Sequence, residues 1–131
     1  MNSQNFLVLE RWIEVTVEKS FSQEESLLAQ YLFSETIKKY YTSSITDEFY
    51  KTIAAASIVL ATKLLEDDGN YFTVCEMECI CPPYPPFLDS SSIIEAEKII
   101  LENFDYNLVN ATIKCFNLNS RLRVHNEILS R

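Results

Sequence analysis

Ile53-Ala54-Ala55-Ala56-Ser57-Ile58-Val59-Leu60-Ala61 is the stretch that decides the fold: it is apolar or small on every side. A helix without a polar face has to be buried over most of its circumference. Small side chains let neighbouring helices approach closely. The segment is therefore expected to lie in the central helix of a bundle, capped by Thr46 or Asp47 and running to about Leu65.

Working outward towards the N-terminus, Phe6, Leu9, Ile13 and Val17 recur at three- and four-residue steps, which predicts a helix from about Asn5 to Lys19. Ser22 with Glu25 three residues on has capping-box spacing and opens a second helix. Its stripe is Leu28, Ala29, Leu32, Phe33, Thr36, Ile37 and Tyr40. Lys38 and Lys39 fall in the last turn, where cations suit the helix dipole, and the end is expected near Tyr41.

Beyond the central helix, Asp67-Asp68-Gly69-Asn70 reads as a turn, and Phe72 to Cys79 as a short helix. Cys81-Pro82-Pro83-Tyr84-Pro85-Pro86 cannot be helix, because proline removes donors and pushes its predecessor into extended geometry. It is expected to be a rigid, exposed connection, with a Pro-rich docking peptide as the alternative. A further helix should start at Asp89 or Ser90 and end near Asp105. The fold class is all-α: five helices over residues 1–110, then a mildly amphipathic C-terminal tail over 111–131 that periodicity allows to be helical.

The chain has 131 residues, 47% of them apolar, which suits one domain burying roughly two-thirds of its unfolded surface. Gly69 is the single glycine, so Gly-rich phosphate loops are excluded. A net charge of −8 disfavours nucleic acid as a direct partner. No apolar run approaches the ~20 residues that span a bilayer, and no signal segment opens the chain. A soluble, intracellular protein with no membrane role is expected. Cys75, Cys79, Cys81 and Cys115 read as reduced structural thiols, since the only histidine, His125, is far from the three clustered cysteines. No cofactor and no metal is expected. His125 also has no recognisable catalytic partner, so an enzyme is not expected either.

Two charged residues stand in unusual places. Glu97 has Ile93, Ile94, Ile100 and Leu101 one turn away, and a carboxylate buried unpaired in such a stripe is costly. Lys63 follows Val59 and Leu60 by a turn and precedes Glu66 and Asp67. Glu97 either pairs within the fold, or it edges a groove with Lys63 and hydrogen-bonds a partner's main chain. Periodicity does not choose between these readings.

At these residues the chain resembles the cyclin family. Ala54 to Lys63 is similar to the family's third helix, an Ala-rich apolar run ending in lysine before acidic residues. Ala96-Glu97-Lys98-Ile99-Ile100-Leu101-Glu102-Asn103-Phe104-Asp105-Tyr106-Asn107-Leu108 resembles the fifth helix and its exit, and Trp12-Ile13-Glu14 the first helix. The likeness covers about residues 5 to 110 and looks closer to transcription- and splicing-associated cyclins than to mitotic ones. It implies a cyclin-box five-helix bundle and a regulatory subunit, nuclear before cytoplasmic, that binds and allosterically activates a cyclin-dependent protein kinase. Lys63 and Glu97 match the residues that bond the kinase backbone. Leu60, Leu64, Leu101, Tyr106 and Leu108 match positions of the apolar part of that interface.

The sequence also departs from the family. Leu65 stands where the first of two acids usually follows the lysine, and Phe6-Leu7-Val8-Leu9-Glu10-Arg11 replaces the substrate-docking motif of mitotic cyclins. The sequence shows one box where most of the family has two, as expected of either a single-box protein or a fragment; a missing second box would leave apolar surface that self-association could cover. A cyclin-fold scaffold or peptide-binding adaptor that activates no kinase is the alternative.

Overall fold

A computed structural model describes residues 3–40, 46–66, 70–80 and 88–129. The Asp67-Asp68-Gly69 part of the expected turn, Cys81 and the proline-rich segment lie outside the described residues, as does the side chain of His125. Among the described residues there are six helices and no strand: α1 (Ser3–Ser20), α2 (Gln23–Lys38), α3 (Asp47–Leu65), α4 (Val74–Cys79), α5 (Ser90–Asn103) and α6 (Leu108–Leu129).

The small-residue helix is the centre. Every residue from Tyr50 to Thr62 is buried, and α3 packs against α1, α2, α4 and α5. Its polar side chains turn back on its own backbone. Ser57 donates to the Ile53 carbonyl at 2.7 Å and Thr62 to that of Ile58 at 3.0 Å, so their hydroxyls need no water. Thr46 is the cap, its hydroxyl accepting from the Phe49 amide at 3.3 Å. Lys51, a charged residue in this buried run, is also without solvent exposure. Burial pulls its ammonium pKa below the ordinary value, while Asp47 and Glu48 pull it back up.

Around this centre, α1 turns Leu9, Ile13 and Val17 inward and stacks Phe6 on Phe33 of α2, ring centroids 5.2 Å apart. α5 applies Ile93, Ala96 and Ile100 to α3 at three- and four-residue spacing. Asp89 caps it, accepting from the Ser92 amide at 2.9 Å, and α4 braces its start by accepting the Ser90 amide at Glu78 Oε1, 2.6 Å.

The structure revises several local expectations. α2 stops at Lys38 rather than near Tyr41, because Lys39 and Tyr40 donate three residues back, to Thr36 and Ile37, and tighten the last turn. The Ser22–Glu25 capping box is half formed: the Ser22 hydroxyl accepts from the Glu25 amide but donates to the Glu25 carboxylate at 2.8 Å. The complete box is at Thr73 and Glu76, where hydroxyl and carboxylate satisfy each other's amides at 3.1 and 3.3 Å. The short helix expected over Phe72 to Cys79 is present as α4, starting two residues later behind its Thr73 cap.

α5 ends at Asn103, two residues before the expected Asp105. Asp105 and Tyr106 take φ of 52° and 61°, in the left-handed region that favours glycine. The bonds from the Asp105 amide to the Glu102 carbonyl and from the Tyr106 amide to that of Leu101 close a Schellman stop without glycine. Asn107 then caps α6 through the Asn110 amide at 3.1 Å. The 110/111 boundary drawn for the tail falls inside the first turn of α6, whose Leu108, Ala111 and Cys115 are buried where it lies on α2.

Glu25 carries the pH dependence most open to test. Only 5% exposed, it leaves Oε2 without a hydrogen-bond partner. Burial pushes its carboxyl pKa up, the Ser22 hydroxyl pulls it down, and the neighbouring Glu66 carboxyl raises it further. The native state therefore keeps a proton that the unfolded chain has released, and stability falls as pH rises from the ordinary carboxylate range through the raised value. Glu25→Gln is expected to flatten that slope and raise Tm at neutral pH. Thermal melts from about pH 4 to about pH 8 read it, and an unchanged slope would remove Glu25 as its source.

Candidate functional site

Lys63 stands in the last turn of α3 and Glu97 in the middle of α5. The packing of these helices brings Lys63 Nζ to 3.5 Å from Glu97 Oε1. The lysine side chain is 41% exposed and the glutamate side chain 14%. Glu97 thus pairs within the fold, at the edge of the bundle where one partner still reaches water.

The pair is loose. At 3.5 Å the charges attract, but Oε1 is buried and makes no hydrogen bond; charge-assisted bonds of this kind are usually about 2.7–2.9 Å. Oε1 therefore retains acceptor capacity, and the half-exposed ammonium has room for other acceptors. The lysine also lies over the Tyr71 ring, 5.7 Å from its centroid, within cation–π range.

The neighbouring backbone explains how Tyr71 arrives there. Thr62, buried beside Lys63, accepts from the Phe72 amide at 3.2 Å while its own hydroxyl donates back into α3. Phe72 then sits edge-on to Phe21, centroids 5.0 Å apart. The returning chain is pinned to the end of α3, and Tyr71 comes with it. Sequence reading missed Tyr71 and Thr62: the aromatic pair after a turn has no period, and the Thr62 bond is made across the fold.

The apolar candidates divide into three groups. Leu64 and Leu101 are half-buried and packed on the core, a turn or less from Lys63 and Glu97. Leu60 and Leu108 are each 7% exposed and belong to the core. Tyr106 is 67% exposed, presented by the left-handed turn after α5. The structure thus joins Lys63 to Glu97, keeps Leu64 and Leu101 half-buried on the same two helices, and buries Leu108 at the start of α6.

A separate open pocket of about 470 Å³ lies between α2 and the start of α6, lined by Tyr31, Lys38, Asn103 and Lys114 among others. Its Lys38 is held by Glu35 at 2.8 Å. Among the described residues, no group of three or more His, Cys, Asp or Glu side chains could hold a metal ion. No described helix is long and apolar enough to cross a membrane. Cys75 and Cys79 are exposed, Cys115 is buried, and none of the three is in a disulfide. Compared with known proteins, the chain matches no family model, no curated protein and no solved structure.

Proposed function

We propose that the chain is a cyclin-box protein, a regulatory subunit that docks on a cyclin-dependent protein kinase and switches it on. The observation that carries this reading is the meeting of Lys63 and Glu97. Both were singled out in the sequence as misplaced charges, and they lie 3.5 Å apart across α3 and α5 with unused hydrogen-bonding capacity. Leu64 and Leu101 supply half-buried apolar surface on the same two helices. A partner's main chain, with alternating amides and carbonyls, has the complementary chemistry.

In this mechanism Lys63 donates to a kinase carbonyl and Glu97 accepts a kinase amide. Docking presses the kinase C-helix inward, completes its Lys–Glu ion pair and orders its activation loop. The chain itself does no chemistry. A nuclear location goes with the resemblance to transcription-associated cyclins.

The alternative is a scaffold or peptide-binding adaptor with the same fold. It is favoured by the pair being closed on itself rather than open.

The purified chain, immobilised as bait in a lysate of its own organism, is expected to retain a cyclin-dependent kinase identifiable by mass spectrometry. The recovered kinase, expressed alone, should gain phosphotransfer activity when the chain is added. Enrichment of other proteins with no kinase would move the reading to the adaptor. Binding without a rise in activity would move it to the scaffold.

A further inference from the structure

Lys63 carries two attachments at once. Its ammonium stands 3.5 Å from Glu97 Oε1 and 5.7 Å from the centroid of the Tyr71 ring. Neither attachment is a hydrogen bond: Oε1 accepts none, and an aromatic face attracts a cation through its quadrupole. Left to Glu97 alone, a half-exposed ammonium beside a largely buried carboxylate should close to a charge-assisted bond of about 2.7–2.9 Å. A cation–π contact and an ion pair at the solvent edge are of the same order of strength. The ring is therefore able to hold the ammonium off the carboxylate.

Tyr71 is half-buried, and its place is fixed by the residues that follow it. The Phe72 amide donates to the Thr62 hydroxyl at 3.2 Å, and the Phe72 ring is buried edge-on against Phe21. Thr73 is fixed in turn by the capping box that opens α4. α4 then holds the start of α5 through Glu78 and the Ser90 amide. Tyr71 is thus tied to both helices that supply the pair, to α3 through Thr62 and to α5 through α4.

We propose that Tyr71 is the positioning residue of this site. Its ring keeps the Lys63 ammonium short of a closed bond with Glu97, so the lysine donors and Glu97 Oε1 stay available to a partner's main chain. A leucine at 71 fills the place with an apolar side chain that has no quadrupole. The lysine then closes on Glu97, and the site satisfies itself with the bonds it otherwise offers. Stability should not fall, because the closed pair replaces the lost ring contact. The use of those donors by a kinase rests on the docking reading proposed above, whereas the ring's hold on the lysine does not.

Two measurements on the full chain test it, and the first needs no partner. In NMR spectra of the isotope-labelled protein, the Lys63 CεH2 protons should lie upfield of those of the exposed Lys39 in wild type and in Tyr71→Phe. In Tyr71→Leu they should return to the ordinary position. A coupling across a hydrogen bond, from Lys63 Nζ to the Glu97 carboxyl carbon, should appear only in Tyr71→Leu. In the second measurement, the kinase retained by the immobilised chain should bind Tyr71→Phe as it binds wild type. It should bind Tyr71→Leu about fivefold more weakly, with Tm unchanged in both. Tyr71→Met takes the place of Tyr71→Leu if that variant unfolds. An upfield shift absent from wild type or persisting in Tyr71→Leu overturns the proposal, as does a Lys63–Glu97 hydrogen bond already present in wild type. So does equal binding by all three chains, or a loss of binding matched by a loss of Tm, which makes Tyr71 a fold residue. If no kinase is retained, the docking reading falls and the spectra alone decide the role of Tyr71.

Discussion

Lys63→Ala combined with Glu97→Ala is expected to abolish kinase binding while leaving helical circular dichroism and Tm nearly unchanged. Truncating one partner of a buried, hydrogen-bonded charge contact costs roughly 2–5 kcal/mol of binding, so losing both contacts should raise Kd by at least a hundredfold. The fold should barely register the change. An ion pair at the solvent edge contributes about 0–1 kcal/mol, and this one lacks a hydrogen bond at Glu97 Oε1.

The double variant is the clean one for a physical reason. Lys63→Ala alone strands the largely buried Glu97 carboxylate without its cation, which should destabilise by about 1–3 kcal/mol. Removing both charges avoids that penalty. Binding by titration calorimetry and thermal melts on the same samples separate the cases. A double variant that unfolds makes the pair a fold element and gives the adaptor reading the advantage. One that folds and still binds removes Lys63 and Glu97 from the interface.

Ala55→Leu should damage the fold strongly. Ala54, Ala55 and Ala56 have no solvent exposure and lie on a helix with neighbours in α1, α2, α4 and α5. Three added carbons have no face to occupy, and side chains or a whole helix must shift. Overpacking of this kind typically costs about 1–3 kcal/mol, and a helix covered this completely should show the upper end. Leu7→Ala, on the exposed side of α1, should move stability by no more than about 0.5 kcal/mol in the same urea titration. Comparable losses at the two positions would show that α3 is not the tightly packed centre.

The central helix was legible because composition alone forces its burial: no rotation of Ile53 to Ala61 offers water a polar side. Lys51 was not legible, since its burial is imposed by the neighbours of α3 rather than by its own turn. The anomaly at Glu97 was visible as a carboxylate in an apolar stripe. Its nearness to Lys63 was one of two open readings, and the direct ion pair was not legible, because it depends on how α3 and α5 pack. The stop after α5 was hidden for a different reason. Such stops are read from glycine, and here Asp105 and Tyr106 adopt the left-handed backbone without it. The seat of α6 was equally hidden, because its stripe does not say which helix will cover it.

The burial of Cys115 has a practical consequence. Its thiol donates to the Leu27 carbonyl at 3.7 Å, inside the seam between α6 and α2. Cys75 and Cys79 stand open to solvent. Among the described cysteines an alkylating reagent thus meets two kinds of thiol, one limited by chemistry and the other by access. When the reagent is in excess, the modification rate of the slow thiol becomes a clock for how often the last helix lifts from its seat.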